Sequence, residues 1–243
     1  MKAMIFAAGL GTRLKPITDT VPKALVQVDG KPLLYHVIKK LVREGYDSLV
    51  VNVHHFPDQI INYLQENDFG VEIRVSDERD MLRETGGGIA YAQPLLGNEP
   101  FLVHNVDILS CLDLAWFRGQ HNPGNLATLL CSDRKTQRYL LVDDNGMLAG
   151  WTNIATGEVR SPYGKISPSD YRLLAFSGMH YLSPEVFEAF KRYGFGERFP
   201  IMDFYLRACA DYPIRIAEAT DLKLIDVGKL DSLSQAEAFL QQL

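Results

Sequence analysis

The chain has 243 residues, 47% of them hydrophobic and 23% charged, with a net charge of −5. No apolar run approaches the roughly 20 residues of a membrane span, and no lysine or arginine run builds the basic stripe a general nucleic-acid binder needs. The three cysteines, Cys111, Cys131 and Cys209, are odd in number and lack any CxxC spacing, which excludes a disulfide scaffold and fits reduced thiols in the cytoplasm.

Short β-branched runs alternate with helical periodicity, the pattern of an α/β fold with a mostly parallel central sheet flanked by helices. One domain over 1–243 is expected, with a smaller, mixed-strand second half. Lys2–Ala8 (KAMIFAA) reads as a buried strand rather than a signal peptide, because it runs straight into Arg13 and Lys15. From Gly9 to Lys23 the sequence is GLGTRLKPITDTVPK. Gly9 and Gly11 remove the Cβ atoms that would keep a polyphosphate from the backbone N–H groups, and Arg13, Lys15 and Lys23 supply positive charge. A Walker A loop would need Gly-Lys-Ser/Thr where Gly11 is followed by Thr12 and Arg13, and a dinucleotide fingerprint would need glycine at Leu14. Pro16 and Pro22 argue against a long helix, so the loop wraps over its ligand to about Lys23.

Leu34, Val37, Ile38 and Leu41 repeat at helical spacing, and Gly45 stops that helix. Ser48–Val53 is a second strand, Asp58–Leu64 a short helix after Pro57, and Val71–Val75 a third strand. A helix starts at about Gly86 and ends near Pro94. Phe101–Ile108 (FLVHNVDI) is an apolar strand ending in polar residues, where an open α/β sheet puts its chemistry, so Asp107 is a candidate site residue. Leu126–Ser132 and Arg138–Asp143 read as strands, Asp144-Asn145-Gly146 as a hairpin turn, and Met147–Asn153 as the returning antiparallel strand. There follow a strand at Leu173–Leu182, helices from Pro184 and from Pro200 to Ala210, and a strand pair formed by Pro213–Ala219 and Leu222–Val227. A closing helix presents Leu233, Ala236, Leu240 and Leu243 on one face. His54 and His55, adjacent at a strand end, read as loop residues rather than metal ligands.

Gly9, Gly11, Thr12, Arg13, Pro16, Thr18, Pro22 and Lys23, at these spacings, resemble the opening motif of the sugar-1-phosphate nucleotidyltransferases. Similarity continues through Glu84–Ile89, Pro94–Ile108, Ala175–Met179 and Ile225–Gly228. The resemblance implies a Rossmann-like nucleotidyltransferase fold and an enzyme that joins a nucleoside triphosphate to a sugar 1-phosphate with release of pyrophosphate. The later segments favour the branch that takes UTP and N-acetylmuramate 1-phosphate, a peptidoglycan-recycling reaction. Guanylyl or cytidylyl transfer to mannose, heptose or another phosphate, and a non-catalytic sugar-nucleotide sensor, are the alternatives. Because the sequence carries no hexapeptide repeats, a catalytic core alone is expected. No nucleic-acid or membrane partner is implied, and the oligomeric state stays open.

Charge neutralisation at the triphosphate calls for Mg²⁺, a hard cation needing few protein carboxylates. Asp107 and Asp226, each following an apolar strand, are the best metal-binding pair, although either alone also suits a strand-end turn or a helix cap. By resemblance, Arg13 holds the β- and γ-phosphates and Lys23 sits near the α-phosphate, the two catalytic residues. Backbone at Gly9, Gly11 and Thr12 lines the triphosphate, Gly86, Gly87 and Gly88 let the pyrimidine approach, and Asn105 and Gly178 contact the sugar. Three stretches differ from the family pattern: Val106 stands where glycine is usual, Lys223–Lys229 replaces the commoner surroundings of the second aspartate, and Trp151-Thr152-Asn153 replaces Glu-Lys-Pro.

Overall fold

The computed structural model describes residues 1–241. Leu243, expected on the closing helix, lies outside the described residues. In chain order the first half contains β1 (Lys2–Phe6), a looped segment with three single 3₁₀ turns, the short hairpin β2 (Gln27–Val28) and β3 (Lys31–Pro32), and α1 (Leu33–Arg43). It continues through β4 (Ser48–Val53), α2 (Pro57–Glu66), β5 (Glu72–Asp77), α3 (Glu84–Tyr91), α4 (Gln93–Leu96), β6 (Phe101–Asn105) and β7 (Ile108–Ser110). The second half contains α5 (Leu114–Gly119), β8 (Ala127–Ser132), β9 (Arg138–Val142), β10 (Leu148–Asn153), β11 (Glu158–Arg160) and β12 (Arg172–Leu182). It closes with α6 (Val186–Arg192), α7 (Ile201–Ala208), β13 (Ile214–Glu218), β14 (Leu224–Asp226) and α8 (Asp231–Leu240).

The parallel strands β5, β4, β1 and β6 form the nucleus of the main sheet, joined by helical crossovers as parallel pairing requires. β12 then runs antiparallel to β6 and leads into the mixed half. There β9, β10 and β11 pair antiparallel on one branch, while β8 pairs with β12 and, in parallel, with β13. The alternation of side chains along β1 explains the two cores. Ala3 and Ile5 face the layer containing α1, α2 and α8, whereas Met4 faces the layer containing α3, α6 and α7. Both layers bury their apolar faces on one sheet, which fixes the carboxyl ends of β1, β4 and β6 side by side.

The expected pairing of Pro213–Ala219 with Leu222–Val227 is corrected. β13 pairs with β8, and β14 pairs with β7 in a separate two-stranded ribbon, Asp226 opposite Ile108. Five residues separate the two strands, and strand partners are a tertiary property that adjacency in sequence does not determine. α5 was not foreseen either. It has only six residues, but Asp113 caps it, accepting hydrogen bonds from the N–H groups of Ala115 (2.8 Å) and Trp116 (3.0 Å).

Candidate active site

The loop after β1 is built as a cradle. Gly11 takes a left-handed conformation (φ 63°), and a Cβ there would stand 2.8 Å from Thr18 Cγ2, so the position requires glycine. Thr18, itself buried, donates its hydroxyl to Gly11 O (2.8 Å) and ties the middle of the loop to its start. Leu14 and Ala24 anchor the loop in the core while Thr12 and Arg13 stay exposed. The N–H groups of Gly9, Gly11 and Thr12 donate to no protein acceptor among the described residues, and a Cβ on Gly9 would meet only open space. Unpaired donors beside bare backbone form a ready anion site.

Facing the loop is a cavity of 190 Å³ lined by Phe6, Ala8, Gly9, Lys23, Asn52, Leu82, Glu84, Thr85, Asn105, Val106 and Asp107. Its floor is the carboxyl edge of β1, β4 and β6, where an open parallel sheet binds its ligands. Asp107 lies in the two-residue turn between β6 and β7, and Lys23 Nζ forms an ion pair with its Oδ2. Val227 N donates to Asp107 O (2.8 Å), so the turn carrying Asp107 and the end of β14 carrying Asp226 are fastened together. Arg13 reaches the same place, since a Cβ on Gly228 would stand 2.7 Å from Asp226 Oδ1 and 2.8 Å from Arg13 Nη2. Partial desolvation and then the neighbouring Asp107 carboxylate hold the Asp226 pKa above its ordinary value, against the opposing charges of Lys23, Arg13 and Arg134. Two carboxylates whose mutual repulsion is only partly offset fit a divalent cation completed by substrate oxygens and water. Among the described residues, no cluster of three or more histidine, cysteine, aspartate or glutamate side chains is arranged to hold a metal.

Asn105 and Gly178, the pair expected to contact the sugar, also converge. Gly178 is left-handed (φ 74°) at an irregularity in the β12–β8 ladder, and a Cβ there would come within 3.1 Å of Asn105 Nδ2. Val106 is buried, its N–H bonded to Phe6 O (3.2 Å), and the turn toward Asp107 is made without glycine. His104, one residue before Asn105, is buried and pushed down to about 4 by desolvation, so it stays neutral at physiological pH.

Gly86, Gly87 and Gly88 have a different setting. A Cβ on Gly86 would overlap the Phe199 ring at 2.2 Å, one on Gly87 would overlap Glu197 O at 2.3 Å, and one on Gly88 would lie 2.9 Å from Glu78 Oε1. The N–H groups of Gly86 and Gly87 both donate to Phe199 O (2.8 and 3.2 Å). Gly86 and Gly87 pack closely against the 197–199 segment and Gly88 against Glu78 and Asn52, and the cavity wall is formed by the residues just before them, Leu82, Glu84 and Thr85. Glu84 is itself left-handed (φ 60°), an uncommon backbone for a residue with a side chain, and Arg198 Nε donates to its Oε1 (3.0 Å).

Asn52 escaped the sequence reading. It is 2% exposed, accepts from Ala7 N (2.8 Å) and donates to Glu78 Oε1 (2.8 Å), linking the start of the loop to β4 and to the residue after β5. The available signal was a lone amide inside the apolar run SLVVNV, since a buried polar side chain must find partners. His54 and His55 contact the backbone oxygens of Glu78 (2.7 Å) and Thr18 (3.3 Å), in keeping with a loop-holding role.

Residues 2–242 match the family described as Nucleotidyl transferase. The chain belongs to that family. It is 34% identical over 197 residues to N-acetylmuramate alpha-1-phosphate uridylyltransferase of Caulobacter vibrioides, covering 76% of each chain. To the protein of the same description from Neisseria meningitidis serogroup B it is 46% identical over 114 residues, 46% of this chain and 49% of that one. The crystal structure of a putative glucose-1-phosphate thymidylyltransferase from Bacillus anthracis superposes with a TM-score of 0.81, covering 100% of this chain and 96% of that chain at 20% identity. Family and fold thus make the chain a sugar-1-phosphate nucleotidyltransferase with a Rossmann-like architecture, an enzyme transferring a phosphorus-containing group. No helix among the described residues is long and apolar enough to cross a membrane.

Proposed function

We propose that the enzyme makes UDP-N-acetylmuramate and pyrophosphate from UTP and N-acetylmuramate 1-phosphate, with Mg²⁺ held by Asp107 and Asp226. The observation that carries the metal-dependent reaction is the fastening of those two carboxylates to one turn, by the Val227–Asp107 hydrogen bond, opposite a loop of unpaired N–H donors. The uridylyl and muramate assignments draw support from the relatives of that description.

In this reading the triphosphate lies on the N–H groups of Gly9, Gly11 and Thr12, with Arg13 as a planar fork for the β- and γ-phosphates. The metal, when bound, neutralises phosphate charge and orients the α-phosphorus for attack. Lys23, paired with Asp107 in the free protein, turns its ammonium to the α-phosphate and the incoming sugar phosphate. An oxygen of the acceptor phosphate, whose second pKa lies near 6 as in phosphorylated side chains, bonds to the α-phosphorus while the bond to the β-phosphate oxygen breaks and pyrophosphate departs. No general base is required, and rate enhancement comes from positioning and electrostatics. The pyrimidine sits against Leu82, Glu84 and Thr85, and the sugar against Asn105 and Gly178. One compact catalytic domain suffices for this chemistry.

A matrix of the four nucleoside triphosphates against several sugar 1-phosphates, read by pyrophosphate release, tests the assignment. UTP with N-acetylmuramate 1-phosphate should be the most active pair. A tenfold preference for GTP or CTP with every sugar would overturn the uridylyl assignment, and absence of pyrophosphate release from every pair would leave a binding protein.

A further inference from the structure

The segment between β8 and β9, Asp133–Gln137, has no assigned role, yet its Arg134 is held in a distinctive way. The guanidinium donates from Nη2 to the backbone oxygen of Phe176 (2.8 Å), two residues before Gly178 on β12. Gly178 in turn abuts Asn105 at the cavity edge. Arg134 has no ion-pair partner among the described residues, in contrast to Arg172, which pairs with Glu218. A guanidinium carries five N–H donors, and a single carbonyl bond orients it without neutralising it. It is also exposed and lies outside the Gly9–Lys23 loop. An oriented, unpaired guanidinium on the strand segment that leads to Gly178 and the cavity-lining Asn105, apart from Lys23 and Arg13, suits a second anionic group on the acceptor.

N-acetylmuramate 1-phosphate differs from N-acetylglucosamine 1-phosphate by a lactyl ether on O3 that ends in a carboxylate. We infer that Arg134 binds this carboxylate and so selects muramate among sugar 1-phosphates. The inference rests on the muramate reading above. A planar fork of donors matches a carboxylate in two parallel hydrogen bonds, stronger than neutral ones, whereas a hydroxyl-bearing sugar leaves the guanidinium to water. The loop placement suits this task, because the β8–β9 connection can approach the sugar without altering the sheet edge that holds the phosphates.

The test compares wild type, Arg134→Lys and Arg134→Gln with two acceptors: N-acetylmuramate 1-phosphate and its analogue in which the lactyl carboxylate is a carboxamide. Arg134→Gln should raise KM for the acid about tenfold or more, with kcat and the KM for UTP within about twofold of wild type. Arg134→Lys should fall between the two. The carboxamide should show the raised KM already with wild type, and Arg134→Gln should add nothing further, since each change removes the same contact. Equal KM values of wild type for acid and carboxamide would overturn this inference alone. So would an Arg134→Gln variant that loses both acceptors equally or loses UTP instead. Wild type that turns over neither acceptor while accepting another sugar phosphate would refute the muramate reading itself, and the role of Arg134 with it.

Discussion

Gly87→Ala separates packing from ligand contact at the start of α3. The added Cβ would lie 2.3 Å from the Glu197 carbonyl oxygen, about 1 Å inside the closest ordinary approach. That oxygen cannot retreat alone, because Phe199 O accepts from Gly86 and Gly87, Phe199 N donates to Arg83 O (3.2 Å), and Ile201 N donates to Thr85 Oγ1 (2.8 Å). Overpacking costs about 1–3 kcal/mol, loosening the Phe199 hydrogen bonds about 1 kcal/mol more, and alanine returns about 1 kcal/mol of helix propensity. The net loss is about 1–3 kcal/mol, which for a chain of this size lowers Tm by about 2–12 °C. Thermal melting followed by circular dichroism measures it. Gly119→Ala is the internal control: Gly119 ends α5, and a Cβ there meets nothing within 4 Å, so this variant should melt at or slightly above the wild-type temperature. If Gly87→Ala melted within about 1 °C of wild type while its KM for UTP rose strongly, the packing explanation would fail and the glycine would be serving the base.

Two further outcomes follow from buried and desolvated polar groups. The Asp226 carboxyl is held above its ordinary pKa, so as pH rises the unfolded chain ionises first and the native state is penalised once both are charged; Asp226→Asn should therefore melt at or above wild type at neutral pH without metal, the difference fading below the ordinary value of 3.8, while turnover collapses. Asn52→Ala leaves Ala7 N and Glu78 Oε1 without partners in a site only 2% exposed, and should cost about 2–4 kcal/mol in urea unfolding, whereas a surface amide such as Asn145 replaced by alanine should cost well under 1 kcal/mol.

Much of the site was legible because its chemistry is local. The loop from Gly9 to Lys23 declares itself through residues that are close in sequence, and Asp107 follows its strand directly. Asp226 was legible as a strand-end carboxylate, but its partner strand was not: β14 seeks β7 across more than a hundred residues, and no turn signal encodes such a pairing. The glycines at 86–88 mark the limit in another way. Missing side chains signal a close approach, yet a sequence cannot say whether a base, a carbonyl or, as for Gly86, the Phe199 ring does the approaching. Asn52 was passed over because its neighbours in β4 dominate the pattern, although its hydrogen bonds join the start of the Gly9–Lys23 loop to the sheet.

The most direct test of the two-aspartate metal site is steady-state pyrophosphate release from UTP and N-acetylmuramate 1-phosphate by wild type in Mg²⁺, by wild type in EDTA, and by Asp107→Asn in Mg²⁺. Activity should vanish in EDTA and return on adding excess Mg²⁺, and Asp107→Asn should lose at least about a hundredfold in kcat while keeping its fold by circular dichroism. Full turnover in EDTA, or near-normal turnover by a folded Asp107→Asn, would contradict the role given to the carboxylates that β7 and β14 bring together.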